Sequence, residues 1–488
     1  MKLQDRIFNK DWNLIHPQNK VLSTDAAYVA LCNELYESLR GMQEHAKISK
    51  ALLRTCAINV AAYLEDIVSH IGLWKAFQTR YSATYDKQIP YFDVDDDYIK
   101  DEVNLQDIQF IVWFTIQNSV NKDFVFDPCD QTIAYIANKF YPVLLDAYET
   151  VPESEELHQW VWTDAIDKDS GAYNDLIFWL YEQSYLFSSS RYEYENELEA
   201  FVKTYSGKVS DREIQHLVLG FHKEQMLSKP IGPLGLTTSE WIVAMAEVVD
   251  KRKVKKLNDI QFLSSRYFQI ASETTKSYVI NSSEGDEKLK LAKETFPSSL
   301  KLQKGDCFKS ALIYFNGSWH ILHSLITVTD EDFLSQKDLT QKHRQDAKES
   351  NDLFKGVAGR RGVLFYESFN SFVADFTVYE PYLSKVDPEV YKNILVTATP
   401  EEGLTIAPGV ASYIKDPKNT LFNKELTASK GIDLIAFSYT CPESLLRILF
   451  NGKRLSEVQF VNSTDRKAKK RLQENIEFTA RALRGYRV

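Results

Sequence analysis

Through most of the first half of the chain, apolar residues recur every three or four positions. That spacing lines one face of an α-helix. Leu53, Cys56, Val60, Leu64, Ile67, Ile71 and Trp74 follow it and predict one long buried helix from about Ser49 to Thr79. Before it, Ser23-Thr24-Asp25 offers an N-terminal cap to a helix carrying Val29, Leu35, Tyr36 and Leu39. Further helical patterns cover about 99–120, 130–149, 154–166, 173–187, 191–205, 210–227 and 238–256. Pro142 and Pro152 punctuate the series, and the stretch from Lys229 to Gly235 is rich in turn formers. No fixed period repeats, which disfavours a regular solenoid.

Near residue 259 the pattern changes. Arg266 to Ala271 and Ser277 to Asn281 are short and rich in β formers. Ala311 to Phe315 and Ser318 to Leu322 flank Asn316-Gly317. Asn-Gly supplies the positive φ angles of a type I′ turn, so these residues predict a β-hairpin. Residues 259–329 can close into a small, strongly bent sheet or barrel, with a helix from about Glu331 to Asp352. Beyond it, Val363 to Tyr366 and Phe372 to Tyr379 read as strands. Ile394 to Thr399 and Leu404 to Ala407 flank Pro400-Glu401-Glu402-Gly403 as a second hairpin. Ala411 to Lys415, Pro442 to Asn451 and Arg466 to Arg484 read as helices.

The expected class is an α+β multi-domain chain. An all-α N-terminal half (residues 1–258) leads into a small β-sheet or barrel module (259–335). A mixed α/β C-terminal segment (336–488) ends in a basic helix. With 488 residues, two to four domains are expected.

Composition sharpens this picture. The chain holds 26 Tyr and 28 Phe, so rings must fill much of its core. A formal net charge of −10 argues against bulk binding of nucleic acid, which needs clustered cations. The charge is uneven, however: from Asn462 to Val488 there are eight cations and three anions. Five widely spaced cysteines with no C-x-x-C speak against a disulfide framework or an ordinary structural zinc site, and for reduced thiols. Apolar runs such as Phe110 to Phe114 are far shorter than the ~20 residues that span a bilayer. The expectation is a cytoplasmic protein with no membrane association and no cofactor.

The opening carries Lys10-Asp11-Trp12-Asn13-Leu14-Ile15-His16-Pro17, then Thr24-Asp25-Ala26-Ala27-Tyr28. Toward the end stand Pro400-Glu401-Glu402-Gly403-Leu404-Thr405-Ile406 and Gln473-Glu474-Asn475-Ile476. Together these segments resemble a bacterial family of uncharacterised proteins, a domain of unknown function. The resemblance implies a bacterial cytosolic protein and carries over no catalytic residue.

Candidate chemistry is sparse. Arg40-Gly41-Met42-Gln43-Glu44-His45 matches the R-x4-H spacing that is similar to the active site of HEPN-type helical ribonucleases. Gly41 stands where that motif usually has a polar residue, and a polar loop after a helix is the plainer reading. Asp93-Val94-Asp95-Asp96-Asp97 opens like a calcium loop, but Tyr98 and Asn104 occupy the positions of its Gly and Glu. The plainer reading is an acidic loop capping a helix that begins near Ile99. Cys307, His320 and His323 could offer zinc ligands, yet no fourth ligand has a recognised spacing, and no metal is expected.

Gly356-Val357-Ala358-Gly359-Arg360-Arg361-Gly362 pairs glycines with arginines that can meet phosphate oxygens. It is similar to the GXXG loop of KH domains, but that loop joins two helices, whereas a strand is expected here after Gly362. Lys467, Lys470 and Arg471 make the terminal helix a second phosphate-binding candidate, with Leu472, Ile476, Ala480 and Leu483 as its docking stripe. A solvated or internally paired face is the plainer alternative. There is no HExxH, GxSxG, Walker A or strand-linked GxGxxG motif.

Two functional readings follow. The first is a non-enzymatic cytosolic binding or scaffold protein. It would take a protein partner or a second copy through its helical half, and nucleic acid or another anionic partner through its C-terminal half. The alternative is a metal-independent ribonuclease or other nucleic-acid-processing enzyme. Arg40 and His45 would then act in catalysis, and Arg360 and Arg361 would hold phosphate.

Overall fold

In the computed structural model the described residues are 6–17, 20–40, 48–94, 96–119, 125–187, 191–207, 210–285, 287–296, 302–322, 325–426 and 466–484. The chain divides into two units, one of residues 1–122 and 126–333, the other of 123–125 and 334–488. The class is α+β: helices fill the N-terminal half, a six-stranded sheet follows, and a small sheet with helices completes the C-terminal part.

The longer helices of the first unit are α1 (Asp25–Ser38), α2 (Lys50–Val68), α3 (Leu73–Tyr85), α4 (Leu105–Ser119), α5 (Gln131–Tyr148), α6 (Ser170–Phe178), α7 (Arg191–Tyr205), α8 (Asp211–Ser228) and α9 (Thr238–Val249), and short ones include Glu155–Gln159 and Val254–Asn258. The stripe from Leu53 to Trp74 therefore runs through two helices, α2 and α3, and not through one. His70 and Gly72 take positive φ values of 52° and 92° at the break. Asp66, in the last turn of α2, accepts hydrogen bonds from the backbone N–H of Gly72 (2.7 Å), Leu73 (3.0 Å) and Trp74 (2.6 Å). A carboxylate that satisfies the free donors of a new helix stabilises the break. Periodicity cannot register this, because the apolar side chains keep their phase across the elbow.

The helix expected near Ile99 begins only at Leu105. The Asn104 side chain ties the preceding turn through Ile99 N (3.0 Å) and Ile99 O (2.8 Å), and Asp101 has φ +71°. Asp93, Asp96 and Asp97 thus lie several residues before α4 and cap nothing in it; Asp95 is outside the described residues. Two of the expected helical stretches contain five-residue π-helical turns, Trp160–Asp164 and Trp179–Gln183. Each buries three consecutive residues, Trp160-Val161-Trp162 and Trp179-Leu180-Tyr181. The wider turn brings a neighbouring side chain inward that an α-turn would send outward. The core is aromatic, with Phe77 stacked on Phe110 at 5.0 Å and Trp74 beside both.

The middle of the chain folds into β1 (Gln261–Glu273), β2 (Ser277–Ser282), β3 (Lys288–Ala292), β4 (Cys307–Phe315), β5 (Ser318–Ile321) and β6 (Ile326–Val328). β1 pairs antiparallel with both β2 and β4, β2 pairs with β3, and β4 pairs with β5. β3 meets β5 in parallel at Leu291 and Trp319, which closes the ring 1-2-3-5-4-1. This is a five-stranded barrel, with β6 added on β4. Register shifts at Leu263/Arg266 and Ile270/Ser272 bend β1 so that it serves both neighbours. Phe268, Ile270, Ile280, Leu291, Phe308 and Leu312 fill the inside. The expected hairpin is present, with Asn316 at φ 49° and Gly317 at φ 91°, as a type I′ turn requires.

One side of the barrel rests on the helices of the same unit. Phe315 lies 5.9 Å from the ring of Tyr173 and 5.7 Å from Lys256 Nζ. Lys223 Nζ donates to Leu322 O, and Ser265 N donates to Glu224. Ala311 and Ile313, which point outward on β4, are accordingly buried.

α10 (Asp330–Ala358), which belongs to the second unit from Leu334 on, leads to a sheet of β7 (Leu364–Ser368), β8 (Lys392–Thr399) and β9 (Gly403–Ala407), all antiparallel. The β8–β9 hairpin matches expectation, and Gly403 at φ 74° admits the turn. The strand expected at Phe372 to Tyr379 is instead α11 (Phe369–Asp375) followed by a 3-10 turn, Thr377–Tyr382. Ser368 and Ser371 form a reciprocal cap, and Phe369, Phe372, Val373 and Phe376 share the buried face. The short helix expected at Ala411 to Lys415 is a 3-10 turn, Val410–Tyr413. The terminal helix is two, α12 (Arg466–Glu474) and α13 (Ile476–Arg484). The expected helix at Pro442 to Asn451 lies outside the described residues.

Candidate functional site

Three polar clusters are buried in the helical part of the first unit. In the first, His16 lies between two carboxylates, with Nε2 2.8 Å from Glu65 Oε2 and Nδ1 3.2 Å from Asp25 Oδ1. All three residues are at most 3% exposed. Trp12 Nε1 donates to Asp25 at 3.0 Å, and the Trp12 ring stacks on Tyr28. Burial alone would push the imidazole down. The Glu65 and Asp25 carboxylates outweigh it and hold His16 up at about 9. It is therefore an imidazolium near neutral pH.

The second cluster is the elbow carboxylate, Asp66, which also accepts a hydrogen bond from Tyr185 Oη at 2.7 Å. Burial pushes it upward, against its four donors. In the third, Asp107 on α4 collects Tyr98 Oη (2.8 Å), Tyr63 Oη (3.0 Å) and Trp74 Nε1 (3.0 Å). Burial pushes this carboxyl up to about 7, although those donors and Asn104 oppose the rise.

These groups are spent on the fold. A cavity of about 20 Å³ touches His16, Glu65, Asp66, Ser184 and Tyr185, room for roughly one water molecule and no substrate. A ligand-sized space lies on the other side of the elbow. It is a groove of about 670 Å³ between α2, α3, α5 and α9. Its lining includes the polar side chains of Lys75, Asp101 and Gln78 and the apolar ones of Trp74, Val248 and Val249. Lys75 Nζ and Asp101 Oδ2 pair at 2.8 Å, each a little over two-fifths exposed.

The barrel offers a different kind of surface. The strands β2 and β3 point Ser277, Val279 and Asn281, with Lys288 and Lys290, away from the interior. Asn281 is paired with Lys288 and Val279 with Lys290. Lys276 in the β1–β2 turn, Lys288 and Lys290 are exposed, and their side chains have no partner among the described residues. Of the nearby acids, Glu273 and Glu284 are already paired, with Lys293 at 2.7 Å and Arg266 at 3.0 Å, while Glu287, beside Lys288, is exposed. On β1, Tyr267 lies under Lys309 Nζ at 5.4 Å.

The chain matches the family described as "Protein of unknown function (DUF3843)" over residues 6–285 and 310–484. It belongs to that family. No curated protein and no solved structure matches it. The DUF3843 match covers the helical part, β1, β2 and most of β4, and passes over β3.

Set on this DUF3843 fold, the residues proposed from sequence scatter. Arg40 is exposed at the end of α1 and pairs with Glu37; His45 is outside the described residues. Arg360 and Arg361 are exposed just past α10, where Gly359 at φ 60° ends the helix. Lys467 and Lys470 are exposed and Arg471 is half-buried on α12; Lys470 reaches Glu474 at 3.7 Å. Ala468, Leu472, Phe478, Ala480 and Ala482 are buried. Arg481 is buried as well and pairs with Glu477 at 2.7 Å, so it is not one of a solvated set of cations.

Cys307 and His320 stand apart, since His320 is paired with Ile313, six residues along β4 from Cys307, which is roughly 20 Å of strand. His323 is outside the described residues. Among the described residues no group of three metal-ligating side chains assembles, and no helix is long and apolar enough to cross a membrane. What sequence reasoning missed is the chemistry in its own family segments. Trp12, His16, Asp25 and Tyr28 all stand in the two opening stretches, but Glu65, which completes the cluster, comes from α2 and carries no local signal.

Proposed function

We propose that this chain is a non-enzymatic binding protein whose barrel takes single-stranded nucleic acid on the outer face of β2 and β3. The observation that carries the reading is the line of lysines, Lys276, Lys288 and Lys290, which have no partner among the described residues, on a face where Glu273 and Glu284 are neutralised by other cations. Five-stranded barrels with the strand order 1-2-3-5-4-1 recurrently bind oligonucleotides or oligosaccharides on this face. Lysines favour the anionic ligand of the two. The buried clusters support binding over catalysis, because their titratable groups are held by structural partners away from solvent.

Arg360, Arg361, Lys467, Lys470 and Arg471 are proposed as secondary phosphate contacts in the other unit. The helical half is proposed to hold a protein partner or a second copy. A cytosolic, bacterial setting belongs to the same reading, supported by the free thiols of Cys32, Cys56 and Cys307.

The test is anisotropy of labelled single-stranded RNA and DNA at several salt concentrations. Binding should weaken with salt. The double variant Lys288→Glu, Lys290→Glu should lower the log–log slope by about 1.4, at about 0.7 per phosphate contact. Absence of binding at low salt, or a variant that binds like wild type, overturns the proposal. Metal-free cleavage of the RNA that disappears in His45→Ala would favour the ribonuclease reading instead.

A further inference from the structure

The groove beside the α2–α3 elbow has a chemistry that the barrel does not share. Lys75 and Asp101 place a cation and an anion 2.8 Å apart on one wall, both partly exposed. Gln78 lines the same groove and is only 3% exposed. Its Nε2 donates to Tyr98 Oη, with Asp107 behind. That contact fixes the amide with its nitrogen toward the Tyr98–Asp107 cluster. Its Oε1 is left as a buried acceptor without a hydrogen-bond partner. The side chains of Trp74, Val248 and Val249 supply apolar lining. The volume, about 670 Å³, falls within the usual range of small-molecule sites.

We infer that this groove binds a small zwitterion: a ligand with an ammonium and a carboxylate on one end and an apolar side chain on the other. The carboxylate meets Lys75, the ammonium meets Asp101, and the side chain lies against the two valines. Each charge of the ligand inserts beside its opposite, so the existing ion pair opens without leaving either member uncompensated. An anion alone or a cation alone would break that balance. Such head-group chemistry comes from a free amino acid or from a short peptide, and the experiment separates the two. The site does not depend on the nucleic-acid reading, since it lies on the helical part and uses none of the barrel's lysines.

The test is isothermal titration of the full chain with leucine and with glycyl-leucine, to millimolar concentration. Leucinamide and 4-methylpentanoate, which each lack one charge, are the controls. Saturable binding of leucine assigns a free amino acid. Binding of glycyl-leucine alone assigns a peptide. In either case the controls should bind at least about tenfold more weakly. Lys75→Met and Asp101→Asn should each weaken binding by a similar factor; both sites are partly exposed, and unchanged circular dichroism will show the variants fold. No saturable binding of either zwitterion, equal binding of a control, or variants that bind like wild type would overturn the inference.

Discussion

The helical part and the barrel of the first unit handle polar groups in opposite ways. The helical part takes charges into its interior and surrounds them: His16 with Asp25 and Glu65, Asp66 with four donors, Asp107 with tyrosines and a tryptophan. The barrel fills its interior with Phe268, Ile280, Leu291, Phe308 and Leu312 and puts its lysines outside. The contrast follows from geometry. Strand side chains alternate between faces, so a closed barrel sorts apolar from polar without burying charge. Helices that join at elbows expose backbone donors inside the core, and a buried carboxylate is the natural acceptor for them. A buried charge in this protein therefore points to architecture, and an unpaired surface charge is the better guide to a ligand.

The hardest test of this contrast is to remove one member of a buried cluster. Glu65→Ala leaves the His16 imidazolium short of a partner in the core and should destabilise the fold by about 3–5 kcal/mol in urea titrations. Leu312→Ala in the barrel should fall in a similar range, about 2–5 kcal/mol, for a different reason: a cavity. The two diverge with pH. His16 titrates near 9 in the folded chain and near its ordinary 6.5 in the unfolded one, so the folded state holds a proton that the unfolded chain gives up. Its contribution is complete below pH 6.5 and is lost as pH rises through 9, up to about 3 kcal/mol. Chemical denaturation across this window should show the loss in wild type and in Leu312→Ala, and little of it in His16→Gln.

A smaller effect is expected at the elbow. Gly72 sits at φ 92°, and an added Cβ would lie 2.4 Å from Val249 Cγ2. Gly72→Ala should cost about 2 kcal/mol, combining a left-handed backbone with a close contact, and should also disturb the groove. The smallest change in stability, within about 0.5 kcal/mol, is expected for Lys288→Glu with Lys290→Glu. If that pair lowers the thermal midpoint by several degrees, the lysines belong to the architecture after all and the contrast fails.

Periodicity located most helices, and the Asn-Gly and Pro-Glu-Glu-Gly turns located both hairpins, because these signals lie within a few residues of one another. The misses share a cause. The elbow at His70 and Gly72 depends on Asp66 reaching forward to the next helix. The start of α4 depends on Asn104 folding back on Ile99. The helix at Phe369 depends on a serine cap within a run of β formers. Each is decided by a side chain bonding to backbone, and no hydrophobic pattern records it. Barrel closure was legible as a possibility, but the parallel contact of Leu291 with Trp319 joins residues that no local rule connects. The candidate groove was not legible at all, since Lys75, Asp101 and Val249 come from separate segments of the chain.

The closed ring also sets an order of events during synthesis. Gln261, near the start of β1, is paired with Tyr314, near the end of β4, so the barrel cannot shut until the ribosome has released both. By then the helices that carry Tyr173 and Lys256 have already emerged, and they offer Phe315 a finished surface on which to land. Until that moment β1 to β3 are an open meander with exposed edges, the state most prone to pairing with a neighbouring chain. The helical part, synthesised first, carries the surface against which Phe315 packs in the finished fold.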